Sequence, residues 1–276
     1  MNQKNLLITG CSSGIGYDAA HGMRERGWRV FASCRKPEDC ERLRAEGLDS
    51  PLIDYQHETT ITSGLNEVLD ATGGKLDALF NNGAFASPGA VEDMPTDGLR
   101  AIFEANFFGW HTLTRQVIPV MRAQGHGRIV QNSSILGFVT LRMRGSYNAT
   151  KHALEGLTST LRLEMRGTGI DVILIEPGPV TSKIRENAIA HFEHWIDWEN
   201  SPREGQYRKV LIPRLYESNG PDPFELPASA VTKKLIHALE ASRPKPRYYV
   251  TTPTYFMGVL KRILSTRALD WILAKN

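Results

Sequence analysis

The stretch Leu6-Leu7-Ile8-Thr9-Gly10-Cys11-Ser12-Ser13-Gly14-Ile15-Gly16 decides how the rest of the chain is read. Three apolar residues that suit a buried strand enter a loop with glycines at 10, 14 and 16, and residues 15–26 then carry helical periodicity. A tight turn demands positive φ, which Gly tolerates. A phosphate must approach bare backbone, and the following helix must pack closely on the strand. The N-terminus of that helix offers free N–H groups and partial positive charge to a pyrophosphate. The placement between a first strand and a first helix makes Gly10, Ser12, Ser13, Gly14, Ile15 and Gly16 the lining of a dinucleotide site. A glycine turn without a ligand is the plain alternative.

Outward from this loop, short apolar runs recur at 30–33, 51–53, 78–80, 129–131, 172–175 and 248–251, and read as strands. Segments such as 99–124 and 147–166 between them have helical periodicity. Short buried strands alternating with helices indicate an α/β fold, a doubly wound parallel sheet of about seven strands. A length of 276 residues suits one such domain, over 1–252, and needs no disulfide or metal to fold. The net charge of +3 is small and mixed along the chain, which gives no case for nucleic acid. Cys11, Cys34 and Cys40, odd in number and without CxxC spacing, read as reduced cytoplasmic thiols. No signal-peptide core follows Met1 and no run of ~20 apolar residues occurs. His191 and His194 are three apart but lack a third ligand, and no metal site is expected.

The end of the second strand selects the cofactor. An acidic residue there binds the ribose hydroxyls of NAD. This chain has Arg35 and Lys36 instead, cations suited to a 2′-phosphate, so NADP(H) is preferred over NAD(H). A solvated cation pair with no such preference is the alternative.

Tyr147-Asn148-Ala149-Thr150-Lys151 opens the helix after the strand at 129–131. Residues i and i+4 share a helical face, so a phenol and an ammonium stand side by side. Ser134 lies just past that strand, and Asn106 lies in the preceding long helix. With these pieces the chain resembles the short-chain dehydrogenase/reductase family. The matching elements, in order, are TGxxxGIG at 9–16, Asp54, an NNAG-like element at 81–84, Asn106, Ser134, Tyr147, Lys151 and Pro177-Gly178. Details of the glycine loop and the basic tail are similar to its hydroxysteroid and retinol dehydrogenase branch.

The resemblance implies a strand order 3-2-1-4-5-6-7 and a set of roles. Tyr147 is the general acid that protonates a carbonyl oxygen as hydride arrives from nicotinamide. Ser134 polarises the carbonyl; the family's thirteen-residue offset to Tyr147 selects it over Ser133. Asn106 holds a water that links Lys151 to solvent. Lys151 also bonds the nicotinamide ribose. A free phenol has a pKa near 10; the Lys151 ammonium and the positive charge of oxidised nicotinamide both stabilise phenolate, and a lowering by about two to three units means roughly 3–4 kcal/mol of differential stabilisation. Asp54 meets the adenine, and Asn81 and Gly83 lie by the adenosine. Pro177, Gly178 and Val180 border the nicotinamide, with Thr181 or Ser182 bonding its amide or the phosphates. The chain departs from the pattern in reading Asn81-Asn82-Gly83-Ala84, which leaves the local turn open.

Two regions fall outside the alternation. Residues 183–226 are long and aromatic, and read as a substrate lid or as a peripheral helical excursion. The tail, 253–276, reads as an amphipathic basic helix, unbroken or broken near Ser265. Its stripe, Phe256, Leu260, Ile263, Leu264, Ala268, Trp271 and Ile272, is expected to dock on the body or on a partner subunit, with a membrane surface as the alternative. Phe85, Leu136, Leu141 and Met143 make the expected pocket apolar. A lipophilic ketone, aldehyde or alcohol is the expected substrate. The rivals are a reductase of small or 3-oxoacyl carbonyls and a non-catalytic NADP(H)-sensing protein. A cytoplasmic homodimer or homotetramer, paired through 99–124 and 147–166, is the expected assembly.

Overall fold

The structure, a computed structural model, describes residues 3–217 and 220–274. Met1, Asn2, Ser218 and Asn219, and the tail residues Lys275 and Asn276, lie outside the described residues. Strand β1 (Asn5–Ile8) leads through the glycine loop into α1 (Gly14–Glu25), followed by β2 (Arg29–Ala32), α2 (Pro37–Ala45), α3 (Glu58–Thr72) and β3 (Ala78–Asn81). Helix α4 (Thr96–Phe103) continues through a π turn, Glu104–Phe108, into α5 (Gly109–Gln124). Then come β4 (Gly127–Asn132), α6 (Gly145–Glu164) and β5 (Ile170–Glu176). The chain goes on through α7 (Ile184–Trp195), the short α8 (Glu204–Gln206) and α9 (Ile212–Tyr216), α10 (Ser229–Glu240), β6 (Arg247–Tyr249), α11 (Thr252–Ile263) and α12 (Thr266–Leu273).

The six strands are parallel, in the order β2-β1-β3-β4-β5-β6. This is the expected order with its outermost strand missing. Residues 51–53 form no strand; the edge keeps only lone bridges, Phe31 to Asp49 and Cys34 to Leu52. Pro51 has no N–H to give to a ladder, and the Ser50 hydroxyl takes the Ala32 carbonyl at 2.6 Å.

Successive side chains on a strand face opposite ways, and both faces of this sheet are covered. Leu6, Ile8, Val30, Ala32 and Phe80 pack with Ala19, Met23, Val231 and Leu235 of α1 and α10. Leu7, Phe31, Leu79, Ile129 and Val172 pack with Leu65, Val68, Leu113, Val117 and Leu154 of α3, α5 and α6. The chain moves outward from β1 to β2 and then crosses back to β3, so a crevice opens at the carboxyl ends of β1 and β3.

The 183–226 segment builds a small core of its own. Phe192, Ile196, Tyr207, Leu211 and Leu215 bury one another against Ala90, with Met94 and Met143 alongside. The buried Tyr207 hydroxyl donates to Asp93 Oδ2 at 2.6 Å and accepts from the Ala90 N–H at 2.8 Å, which ties this segment to residues 90–93. The tail is two helices. Leu264 leaves the helical conformation, and Ser265 starts α12 by accepting from the Ala268 N–H. The apolar stripe meets the body only in part: Leu260, Leu264, Ala268 and Ile272 are half-buried. Thr254, Met257 and Gly258 face inward, while Phe256 and Ile263 of the stripe face out.

Candidate active site

The glycine loop is shaped by backbone strain and close approach. Gly10 and Gly14 have φ of +69° and +59°. A Cβ on Gly10 would lie 2.4 Å from the Gly83 Cα, and one on Gly16 would lie 2.3 Å from the Gly10 carbonyl oxygen. Asn82 fastens the loop: its Nδ2 donates to the carbonyls of Thr9 and Gly10, and its Oδ1 accepts from Asn132 Nδ2 at 2.8 Å. Ser13 makes no side-chain cap and no acid stands in the first turn of α1, so the leading N–H groups stay available to an anion. Ile15 packs on the core behind the loop, and the Ser12 carbonyl accepts from Arg42. A turn of glycine backbone that admits no Cβ at positions 10 and 16, at a helix N-terminus, fits a dinucleotide pyrophosphate.

Around the cradle, Arg35 and Lys36 are exposed just past β2, and Arg35 forms no ion pair among the described residues. Burial, and then the Arg35 charge, hold the His191 imidazole on α7 below its ordinary pKa range, so Arg35 is felt from α7. Asp54 accepts from the Gln56 N–H at 3.0 Å. The Asn81 amide is engaged inside the protein, accepting from Tyr55 and donating to Thr114, so it braces the sheet. Pro177 takes the Ile135 N–H on its carbonyl at 2.7 Å, and Gly178 is crowded by the Thr251 hydroxyl. Val180 bridges to Leu226. Thr181 donates to Glu225 at 2.7 Å, whereas the Cβ of Ser182 stands 3.2 Å from where a Gly14 Cβ would be. Of the two hydroxyl residues, Ser182 is the one against the cradle.

Ser134, Tyr147, Lys151 and Asn106 converge at the carboxyl end of β4. The Ser134 hydroxyl stands near enough to the Tyr147 phenol to favour its ionised form, and it donates to the Pro177 carbonyl at 3.4 Å. The Ser134 oxygen also accepts from the Leu136 N–H at 3.1 Å. Ser133 points elsewhere, toward the site where a Gly137 Cβ would be. Burial pushes the Tyr147 phenol up to about 12, against the Ser134 hydroxyl and the Arg144 charge. Lys151 is not among the groups that lower it. The Lys151 ammonium lies 5.6 Å from the Tyr147 ring centre and donates to the Asn132 carbonyl at 2.8 Å. Its other neighbour is the face of the buried Trp110, 4.3 Å away. Burial pushes Lys151 down to about 7, with Glu155 pulling the other way. Asn106 sits in the π turn and grips Phe85, accepting from its N–H at 3.0 Å and donating to its carbonyl at 2.8 Å.

The expected substrate residues separate into two places. Phe85 is buried beside Tyr147 and stacks on His191, with ring centres 3.9 Å apart. Leu136 lies in the turn directly after Ser134. Leu141 and Met143 instead line a cavity of about 470 Å³ with Val91, Asn148 and His152, and Tyr147 is not part of its wall.

Residues 4–192 match the model of the short chain dehydrogenase family. The chain belongs to the short chain dehydrogenases. It is 37% identical to the uncharacterized oxidoreductase YbbO of Escherichia coli, over 98% of this chain and 94% of that one. It is 30% identical to the mouse estradiol 17-beta-dehydrogenase 2, over all of this chain and 75% of that one. Among solved structures it is similar to a short-chain dehydrogenase from Streptomyces avermitilis, at 27% identity and a TM-score of 0.78, with 99% and 97% of the two chains covered.

Three residues of this short chain dehydrogenase were not visible as site residues in the sequence. Asn82, just past β3, and Asn132, at the end of β4, form one clamp between positions fifty residues apart. Trp110 donates from its indole to the Gly83 carbonyl at 2.7 Å while its ring covers Lys151. The only early signal for Trp110 is its i+4 relation to Asn106.

Proposed function

We propose that the chain is an NADP(H)-dependent carbonyl reductase and alcohol dehydrogenase, with a lipophilic ketone or aldehyde as substrate and Tyr147 as proton donor. The observation that carries this reading is the gathering of Ser134, Tyr147 and Lys151 at the carboxyl end of β4, near a glycine turn whose positions 10 and 16 admit no Cβ. When bound, the nicotinamide supplies the hydride in reduction and accepts it in oxidation. Ser134 holds the carbonyl oxygen and Tyr147 gives it a proton. A phenol pushed up to about 12 is fully protonated at neutral pH, the form a proton donor needs. Lys151 near 7 exchanges its proton readily at that pH and so can restore one to the site. The Asn106 amide, engaged with Phe85, holds the π turn and the pocket wall in register. A relay water would then rest on backbone of that turn.

NADP(H) over NAD(H) rests on Arg35 and Lys36 and on the lack of an acid after β2. The lipophilic substrate class rests on Phe85, Leu136 and the aromatic small core of 183–226, which acts as the lid. The three cysteines are free and buried, in keeping with a reducing cytoplasmic setting. The test is a panel of hydrophobic ketones, retinoid aldehydes and short acyl thioesters, followed by loss of NADPH absorbance. Turnover of the lipophilic members, with Arg35→Ala weakening NADPH about tenfold or more and leaving NADH unchanged, is expected. A preference for short acyl thioesters, or an equal effect on both cofactors, would contradict the respective parts.

A further inference from the structure

Helix α11 is amphipathic in an inverted sense. Its inward face is Thr254, Met257 and Gly258, and the Gly258 position admits no side chain because the Tyr249 ring fills the space. Its outward face is apolar: Tyr255 is 49% exposed, Phe256 60%, Val259 55% and Ile263 70%. Steps of one, three and four place these four within about 100° of arc, a continuous stripe. Trp271 on α12, 65% exposed, extends the apolar surface. Solvent-facing apolar stripes of this kind mark a surface meant to be covered.

The charges choose what covers it. From Thr252 onward the chain has Lys261, Arg262, Arg267 and Lys275 against one acid, Asp270, and Lys275 lies outside the described residues. Arg262 borders the stripe, and Lys234 of α10 reaches the Tyr255 hydroxyl at 3.4 Å. A two-fold contact between copies would set this basic rim against itself, with one acid per copy to offset it. An anionic lipid surface complements both features, since it takes the apolar stripe among its acyl chains and the basic rim among its headgroups. Tyr, Trp and Phe at the boundary suit that depth. Among the described residues no helix is long and apolar enough to cross a membrane, so the contact is peripheral.

We infer that α11 and α12 form a peripheral docking surface for anionic lipid. Helix α11 packs against the 135–137 turn that follows Ser134, and rings connect the two through Phe138, Tyr249 and Tyr255 at 5.6 and 5.4 Å. The docked face thus lies on the side of the sheet where Tyr147 and Ser134 stand. The inference does not depend on the proposed reaction, because its test needs no turnover.

The full chain is sedimented with vesicles of phosphatidylcholine alone and of phosphatidylcholine with phosphatidylglycerol in equal parts. Binding to the anionic vesicles only, weakened in high salt, is expected. Lys261→Glu/Arg262→Glu should weaken it about tenfold or more, and Phe256→Ser/Ile263→Ser should weaken it likewise. The circular dichroism melt of each variant checks that it is folded. No binding to anionic vesicles, or equal binding by both variants and the parent, would overturn the inference. So would a fall in solution mass on Phe256→Ser/Ile263→Ser without vesicle binding, which would give the stripe to a second copy.

Discussion

At the scale of the residue, the site turns on a buried lysine that is held by one carbonyl and one aromatic face. Burial disfavours the ammonium, and the Trp110 face, the Asn132 carbonyl and the Glu155 charge favour it. If the ammonium form serves reduction, kcat/KM for reduction holds below about 7 and falls as pH rises through that value. Trp110→Leu removes the π face and should move that fall to lower pH by about half to one unit, with Trp110→Phe between the two. A profile unmoved in Trp110→Leu would show that the indole only fills space. Tyr147, Ser134, Lys151 and Asn106 were legible because their spacing is set by a single helix or by a familiar ordered pattern. The Lys151–Trp110 and Asn82–Asn132 contacts were not, because they join residues 41 and 50 positions apart. Nor was the direction of the Tyr147 shift, since depth of burial is not written in a local spacing.

At the scale of the element, strands and helices were legible wherever apolar periodicity ran without interruption. Three readings failed or were refined where local chemistry intervened. Pro51 and the Ser50 hydroxyl reduce an expected strand to bridges. The long helix from 99 carries a π turn at Asn106, and Ser265 caps a second tail helix. The 183–226 segment depends on the Tyr207 hydroxyl, which has two partners inside the protein. Tyr207→Phe leaves Asp93 and the Ala90 N–H without that partner and should cost about 1–3 kcal/mol in denaturant unfolding. The same variant should raise KM for a bulky ketone more than it lowers kcat. Unchanged stability and KM would mean that the segment is not fastened there.

At the scale of the whole molecule, the doubly wound sheet was legible from the alternation of strands and helices, and its switch point places the cradle without reference to any ligand. Assembly was not legible, because the outer faces of α5 and α6 carry no pattern that separates solvent from a partner. Phe108, Leu157 and Leu163 are exposed on the π turn and α6. We propose that these faces pair two copies, or four in two pairs. Sedimentation at micromolar concentration should give the mass of two or four chains, and Leu157→Glu/Leu163→Glu should reduce it. A single-chain mass for the parent would remove the pairing.

The central claim is that the Tyr147 hydroxyl delivers the proton while the glycine cradle and the cations beside it hold the coenzyme. It is tested most directly by Tyr147→Phe, with NADPH affinity by fluorescence titration and reduction rate by NADPH consumption on the same sample. Unchanged affinity with a rate about a hundred to ten thousandfold lower is the expected result. A rate near that of the parent would contradict it.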